Sequence, residues 1–327
     1  MSIHLTLALS GYDHTRDVVT GEVPVDGVDL TCLTLPVEEI FFRFLRYREW
    51  HVSELSFAKY VALRASGDDS IVAIPVFPSR VCRHSSIYVR PDGPSDPKEL
   101  AGARVGLPEW AQTASVYSRS LLMHEWGIPL TDVQWFQAGV NQPGRREKVA
   151  LSLPEGVSLT PVADRNLDEM LASGDLDAVF SAHPPESFER GDPGIVRLFP
   201  DYEPVEREYV RRTGIFPIMH VVVIRADVLE ENPWVAGNLF TSLTAAKDRS
   251  VARLCEMTAS RLPLPWSPTR LDESREMLGG DPWPYGVEAN RITIDAFCRF
   301  AYEQGVAARR LRPEDLFAPQ VLDQYKV

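Results

Sequence analysis

Residues 71–90 read IVAIPVFPSRVCRHSSIYVR and hold Arg80, Arg83, His84 and Arg90, with no Asp or Glu among them. The protein as a whole has 46 acidic residues against 34 basic ones, a formal net charge of −12. A field of that sign repels carboxylates and phosphates, so a pocket for an anion has to be built locally. Guanidinium groups suit the task because they are permanently charged and grip a carboxylate through two parallel donors. An imidazole beside them adds a group that takes up or releases a proton near neutral pH. The competing reading leaves Arg80 and Arg83 in a loop facing water.

In open α/β sheets, ligands bind beyond the carboxyl ends of the strands. Those ends bring further candidates. Tyr12, His14 and Arg16 follow the first strand, and Glu54 and Ser56 close the strand after the first long helix. Ser79, Arg80, Arg83 and His84 come next, then Glu109, Gln112 and Thr113, then His183, then 213–220 ending at His220. Of the seven histidines, His14, His84, His183 and His220 thus fall at candidate cleft positions. Each has a plainer explanation. His220, in an apolar run, also fits a satisfied core histidine, and His14 a solvated turn. Arg16 can pair with Asp13 or Asp17 as a surface group worth about 0–1 kcal/mol. Glu38 and Glu39 open a helix, where carboxylates favour the dipole. Gln112 and Thr113 begin another, and serve either as caps or to present helix amides to an anion.

The elements that must position these residues alternate between strand and helix, the signature of an α/β fold. Strands are expected at 3–9 and 28–35, bridged by a glycine-containing turn. Pro36 opens a helix whose Val37, Ile40, Phe41, Phe44 and Leu45 recur at helical spacing, so its aromatic residues read as core. Strands follow at 71–76 and 85–89, either side of the basic segment. A short helix at 98–101 leads to a strand at 104–107 and a longer helix at 113–126, stopped by Gly127 and Pro129. A helix at 166–173, capped by Gly174, precedes a strand at 177–181. The Pro-rich stretches at 184–185, 263–265 and 282–284 read as turns.

The 327 residues, 44% hydrophobic and 24% charged, are those of an ordinary globular protein with ample core. The acidic balance argues against a nucleic-acid partner. No window approaches 18 uninterrupted apolar residues, which argues against a membrane span. The opening MSIHLTLALSGYDHTRD has no basic flank or cleavage pattern and reads as a first strand rather than a signal peptide. Cys32, Cys82, Cys255 and Cys298 are scattered, which favours reduced thiols in a cytoplasmic protein. Gly-x-Gly-x-x-Gly, Walker A, His-Glu-x-x-His and Gly-x-Ser-x-Gly motifs are all missing, so chemistry must come from dispersed residues.

Two units, DPKELAGARVGLPE at 96–109 and LDEMLASGDLDAVFSA at 167–182, resemble repeating words of type II periplasmic-binding-protein-like domains. That resemblance implies two α/β lobes with a ligand cleft between them. The crossings are expected near 87–90 and 215–224, giving lobe one as 1–88 plus 215–327 and lobe two as 89–214. Longer words are more specific. GYDHTR, LTLPVEEIFFRFLRYREW, VSELS, AIPVFPSRVCRHSSIYV, RRTGIFPIMHVVVIR, DPWPYGVEANR and EDLFAP resemble the 4,5-dihydroxyphthalate decarboxylases across nearly the whole chain.

The resemblance implies non-oxidative loss of one ring carboxylate, from 4,5-dihydroxyphthalate to protocatechuate or a close analogue. Protonation of the ipso carbon makes the carboxylate leave, because a para hydroxyl feeds electrons into the ring. The site then needs a proton donor, a group to share the phenolic proton, and a cation for the carboxylate that stays. His84 or His220 is expected to donate, with Arg80 and Arg83 as anion clamps and Glu54 and Glu109 orienting hydroxyls. His14, His183, Arg16, Tyr12, Ser79, Gln112 and Thr113 complete the expected site. His14 and His183 stand where the family pattern has Arg, which admits an analogue as substrate. No organic cofactor is required; a divalent metal held by His and Glu stays open, though no ligand spacing argues for one. The expected partner is a small aromatic carboxylate, and homo-oligomerisation is left open. Two other functions compete: a non-catalytic binding protein of the same fold, and another cytoplasmic enzyme on this scaffold, such as those acting on chorismate or futalosine.

Overall fold

The computed structural model describes residues 2–259 and 261–322. Residues 1, 260 and 323–327 of the expected first lobe lie outside them. The chain opens with β1 (Ile3–Leu9), α1 (Arg16–Val19), β2 (Val28–Thr34), α2 (Val37–Tyr47), β3 (Val52–Ser56), α3 (Phe57–Ala65) and β4 (Ile71–Ile74). It continues through β5 (Ile87–Val89), β6 (Arg104–Leu107), α4 (Thr113–His124), β7 (Gln134–Gly139), β8 (Leu159–Asn166), α5 (Leu167–Ala172), β9 (Ala178–Phe180), α6 (Glu186–Glu189), β10 (Val196–Arg197) and α7 (Tyr202–Thr213). It returns through β11 (His220–Arg225) and ends in α8 (Ala226–Glu231), α9 (Trp234–Cys255), α10 (Ser267–Leu278) and α11 (Arg291–Glu303).

Two sheets organise these elements. The first has order β2-β1-β3-β11-β4, with β1 parallel to β2 and β3, and β11 antiparallel to β3 and β4. The second has order β10-β5-β9-β6-β7-β8. Strands covered by helices on both faces read as continuous apolar runs rather than alternating ones. Val221 to Ile224 of β11, all fully buried between β3 and β4 in the first sheet, show that pattern. The parallel register also explains the link between β1 and β2. Parallel strands need a crossover rather than a tight turn, and α1 lies in it.

Local signals account for the helix ends. Asn166 caps α5 by accepting from the Glu169 amide at 2.9 Å, and Gly174 follows with φ +82°, a conformation L side chains resist. α2 buries Ile40, Phe41 and Phe44 while Phe42 and Tyr47 stay exposed.

Two placements differ from expectation. The run 213–220, expected to end a strand at His220, has no regular strand before that residue, and His220 instead opens β11. Ile87–Val89 does not cross between sheets; it pairs antiparallel with β9 and β10 inside the second. Its apolar residues satisfy a strand signal in either role, so their pattern alone cannot choose. The first crossing is the irregular segment just before, 75–86, and the return is 214–219. The two crossings hold each other through Val81 N–H to Pro217 O at 3.2 Å, Met219 N–H to Ser79 O at 2.8 Å and a bridge between Arg80 and Ile218. Among the described residues, no helix is long and apolar enough to cross a membrane.

Candidate active site

The chain order brings the ends of β1 and β3 and the start of β11 to one edge. Because β11 runs antiparallel, its first residue, His220, pairs with Ser56, the last of β3. Glu54, two residues earlier and fully buried, accepts the His220 Nδ1 proton at 2.6 Å on Oε1. A carboxylate only accepts, so Nδ1 carries the proton and Nε2 is the ring nitrogen left for the cleft. The same Oε1 accepts the Tyr12 hydroxyl at 2.6 Å, and Oε2 accepts the Ser10 amide at 2.9 Å. Burial, reinforced by the Glu54 charge, pushes the Tyr12 phenol far above its ordinary range and keeps it a donor. The edge of Phe41 packs on the His220 ring at 4.9 Å between centroids. Carboxylate, phenol and aromatic edge together fix which way the imidazole faces.

His220 lines a cleft of about 260 Å³, together with Phe41, Ser56, Lys59, Ser79, Arg83, Glu109, Gln112, Thr113, Arg145, Lys148, His183 and Met219 among others. Arg83 is the notable member. Its guanidinium is 8% exposed and donates to the Met219 thioether at 2.8 and 3.3 Å and to Ser86 Oγ at 3.3 Å. Among the described residues, no carboxylate forms an ion pair with it. Burial pulls its pKa down to about 10, which still leaves it charged at neutral pH. Glu206 acts on it only from beyond ion-pair distance; a buried cation without a direct ion pair is costly, and an incoming anion relieves that cost. Thr113 begins α4, whose first amides have no intrahelical partners. Thr113 Oγ1 meets Ser56 Oγ at 3.0 Å and accepts the Ala58 amide of α3 at 3.0 Å, tying the two lobes at the cleft floor.

The opposite wall is a charge cluster. Glu109, 1% exposed, accepts from Lys59, from Arg145 Nε at 2.7 Å and from Lys148 Nζ at 3.3 Å. Burial would raise the Glu109 carboxyl, but Lys59, Lys148 and Arg145 outweigh it and hold it below the usual carboxylate range. Arg145 also reaches Glu38 at 3.1 Å, and His183 faces Glu38 at 3.6 Å from the exposed rim. The contact with His183, opposed by partial burial and aided by Arg145, pulls Glu38 down to about 2.

Of the residues expected from the sequence, His220, Arg83, Ser79, Glu109, Gln112, Thr113 and His183 line the cleft, and Glu54 and Tyr12 stand directly behind His220. Four others do not. Arg80 is buried, donates to the Phe216 carbonyl at 3.0 Å, the Pro284 carbonyl at 2.8 Å and the Asn290 side chain, and lies over the rings of Phe77 and Phe216. Its Nη donors are spent on the fold, and its Nε is buried without a partner among the described residues. His84 is packed among Trp126, Phe199 and Tyr209, away from the cleft, and burial pushes it to about 4. A ring so placed stays neutral and has no route to a substrate in the cleft. His14 sits between Tyr12 and Trp283 on the far side of Tyr12, also pushed by burial to about 4. Arg16 is exposed and pairs with Asp13 at 3.2 Å.

Lys59, Arg145 and Lys148 escaped the sequence reading, and Glu38 was explained as a dipole partner. Lys59 carried a usable signal: Phe57, Ala58, Tyr60 and Val61 around it are apolar all round the helix and fully buried, so the lysine among them could not face water. Arg145 and Lys148 lie in PGRREK, which has no regular structure and reads as an ordinary solvated loop. Among the described residues, no group of three or more His, Cys, Asp or Glu side chains is placed to hold a metal ion.

No family model matches the chain. It is 38% identical over 327 residues to the 4,5-dihydroxyphthalate decarboxylase of Comamonas testosteroni, covering 99% of both chains. It is also 38% identical over 211 residues to the enzyme of the same name from Pseudomonas putida, covering 64% of this chain and 82% of that one. Among solved structures, the periplasmic aliphatic sulphonate binding protein SsuA from Escherichia coli superposes with TM-score 0.55 at 13% identity, over 98% of this chain and 99% of that one. A desulfurization enzyme, DSZB, superposes with TM-score 0.52 at 15% identity, over 98% and 97%. Likeness at that identity speaks for the two-lobed binding-protein fold alone.

Proposed function

Because the chain belongs to the 4,5-dihydroxyphthalate decarboxylase family, we propose that it is a carboxy-lyase that removes one ring carboxylate from 4,5-dihydroxyphthalate, or a close analogue. The observation that carries the mechanism is a buried Glu54 orienting His220 into the cleft that also holds the unpaired Arg83. Arg83 grips the carboxylate that stays, with two donors and no ion-paired acid to displace among the described residues. His220, protonated on both nitrogens, delivers the Nε2 proton to the ring carbon bearing the other carboxylate. A carbon–hydrogen bond forms from ring π electrons, and the para hydroxyl supports the cationic ring. The carbon–carboxylate bond then breaks, its electron pair restores aromaticity, and CO₂ departs. One proton is consumed, and His220 is reprotonated from solvent at the cleft mouth. A positioned acid of this kind contributes about 10²–10⁴-fold in rate.

Arg80 and His84 have no part in this scheme, and Glu54 acts through His220 rather than on the substrate. The four cysteines are all free thiols, which supports a reducing, cytoplasmic setting.

The test is turnover in D₂O without added cofactor. The expected product is protocatechuate with one deuterium at the ring position ortho to its carboxylate, formed with one equivalent of CO₂. Tight binding with no CO₂ would make the protein a binder rather than a lyase. CO₂ without deuterium at that position would remove the ipso-protonation step.

A further inference from the structure

The cleft lining contains more positive charge than its own carboxylates neutralise. Four cations, Lys59, Arg83, Arg145 and Lys148, face two carboxylates, Glu38 and Glu109, leaving an excess of two positive charges. In a protein of net charge −12, that excess is a built feature of the site rather than a share of the general field. The excess is also unevenly placed. Lys59 is buried against Glu109 and lies 3.7 Å from Glu147. Arg145 is held between Glu109 and Glu38. The two cations left under-neutralised are Arg83, with no ion pair among the described residues, and Lys148, whose one ion pair among them is to the Glu109 oxygen that Arg145 already occupies at shorter range.

Lys148 also differs from Arg83 in its support. Arg83 is buried on the crossing segment, whereas Lys148 is partly exposed on the irregular stretch between β7 and β8 that overlies the cleft. That stretch is anchored at either side of Lys148, by Glu147 accepting the Ala111 amide at 3.0 Å and by the Ser152 amide donating to the Gly305 carbonyl at 3.0 Å. The ammonium is therefore held over the cleft while its long stem stays free to swing.

We propose that Lys148 is a specificity-determining residue: it pairs with the second acid group of the substrate and makes the cleft select an ortho-dicarboxylate over a monocarboxylate. This deepens the reading of the cleft given above and rests on it for the substrate class. Arg83 takes one carboxylate and Lys148 the other. A lysine that held the departing group tightly would oppose its loss. Lys148 avoids that trap because Glu109 is its standing partner: when the carboxylate leaves as neutral CO₂, the Lys148–Glu109 contact replaces the one lost.

The test uses acids that bind but cannot react because they lack the para hydroxyl. Phthalate and benzoate are titrated calorimetrically into the unmodified protein, Lys148→Met and Lys148→Arg. The unmodified protein should bind phthalate about tenfold or more tighter than benzoate, the scale of one added charge pair. Lys148→Met should bring that ratio close to one while leaving benzoate affinity unchanged, and Lys148→Arg should restore most of it. Equal weakening of both acids would make Lys148 a contributor to the general field and overturn the proposal. So would an unchanged ratio in Lys148→Met, or an unmodified protein that does not prefer phthalate. Binding is read on acids that do not turn over, so failure of the decarboxylase reading would appear as phthalate selectivity here together with no CO₂ release from 4,5-dihydroxyphthalate.

Discussion

Arg83 and Arg80 are three residues apart in one segment, and both guanidiniums are buried, yet they face opposite environments. Arg80 gives its donors to two carbonyls and an amide oxygen and rests on aromatic rings. Arg83 has a thioether and a hydroxyl. The same contrast divides the histidines. His220 has a buried carboxylate on one nitrogen and the cleft before the other, whereas His84 has three aromatic neighbours and an unpartnered Nδ1. Residue type is alike within each pair, and burial nearly so for the arginines, while His220 is more open than His84. What separates them is whether the fold turns the group toward the cleft or packs it into the interior.

The sharpest break in that comparison is at the imidazoles. His220→Ala should lower kcat by about 10²–10⁴-fold, measured as CO₂ release, while His84→Phe should keep turnover close to that of the unmodified protein. Loss of turnover in folded His84→Phe alone would exchange their roles. The arginines should separate next, and along different axes. Arg83→Met should cost about 2 kcal/mol of substrate affinity, on the order of 30-fold in KM, with little change in melting temperature. Arg80→Met should do the reverse, because it leaves buried oxygens unpaired at a cost of about 1–3 kcal/mol, and lowers Tm by a few degrees at unchanged KM. The smallest effect belongs to the rim. The close Glu38 carboxylate raises the His183 pKa, against partial burial. Its contribution is full below the ordinary imidazole value and is lost as pH rises through the elevated one. Tm should therefore fall slightly more between pH 6 and 8 in the unmodified protein than in His183→Gln, and identical slopes would show that the contact contributes nothing.

The sequence was a good guide wherever a signal was local. Apolar runs placed β1 and β6, Asn166 and Gly174 marked the ends of α5, and the strand-end rule put Tyr12 and Glu54 on one short roster; His220 joined it as the expected carboxyl end of 213–220, although it opens β11 instead. That they touch one another depends on β11 running antiparallel between β3 and β4, which no single segment announces. The division between Arg80 and Arg83 was hidden for a related reason. Their segment has no repeating geometry, so three residues of spacing do not say which side of the chain each occupies. Lys148 was hidden because an irregular loop over a cleft and an irregular loop in water are written with the same residues.

The two crossings that hydrogen-bond to each other have one more consequence. Arg83 lies on one of them, Met219 at the end of the other, and His220 one residue beyond, so the proton donor and the anion grip share a common axle. A swing of one lobe against the other about that axle would alter the distance from Lys148, Arg145 and His183 to the substrate far more than the distance between His220 and Arg83. Capture and chemistry are thereby mounted on different parts of the machine. Evolution can exchange residues of the overlying strap to admit a new acid while the arrangement that breaks the carbon–carbon bond stays in alignment.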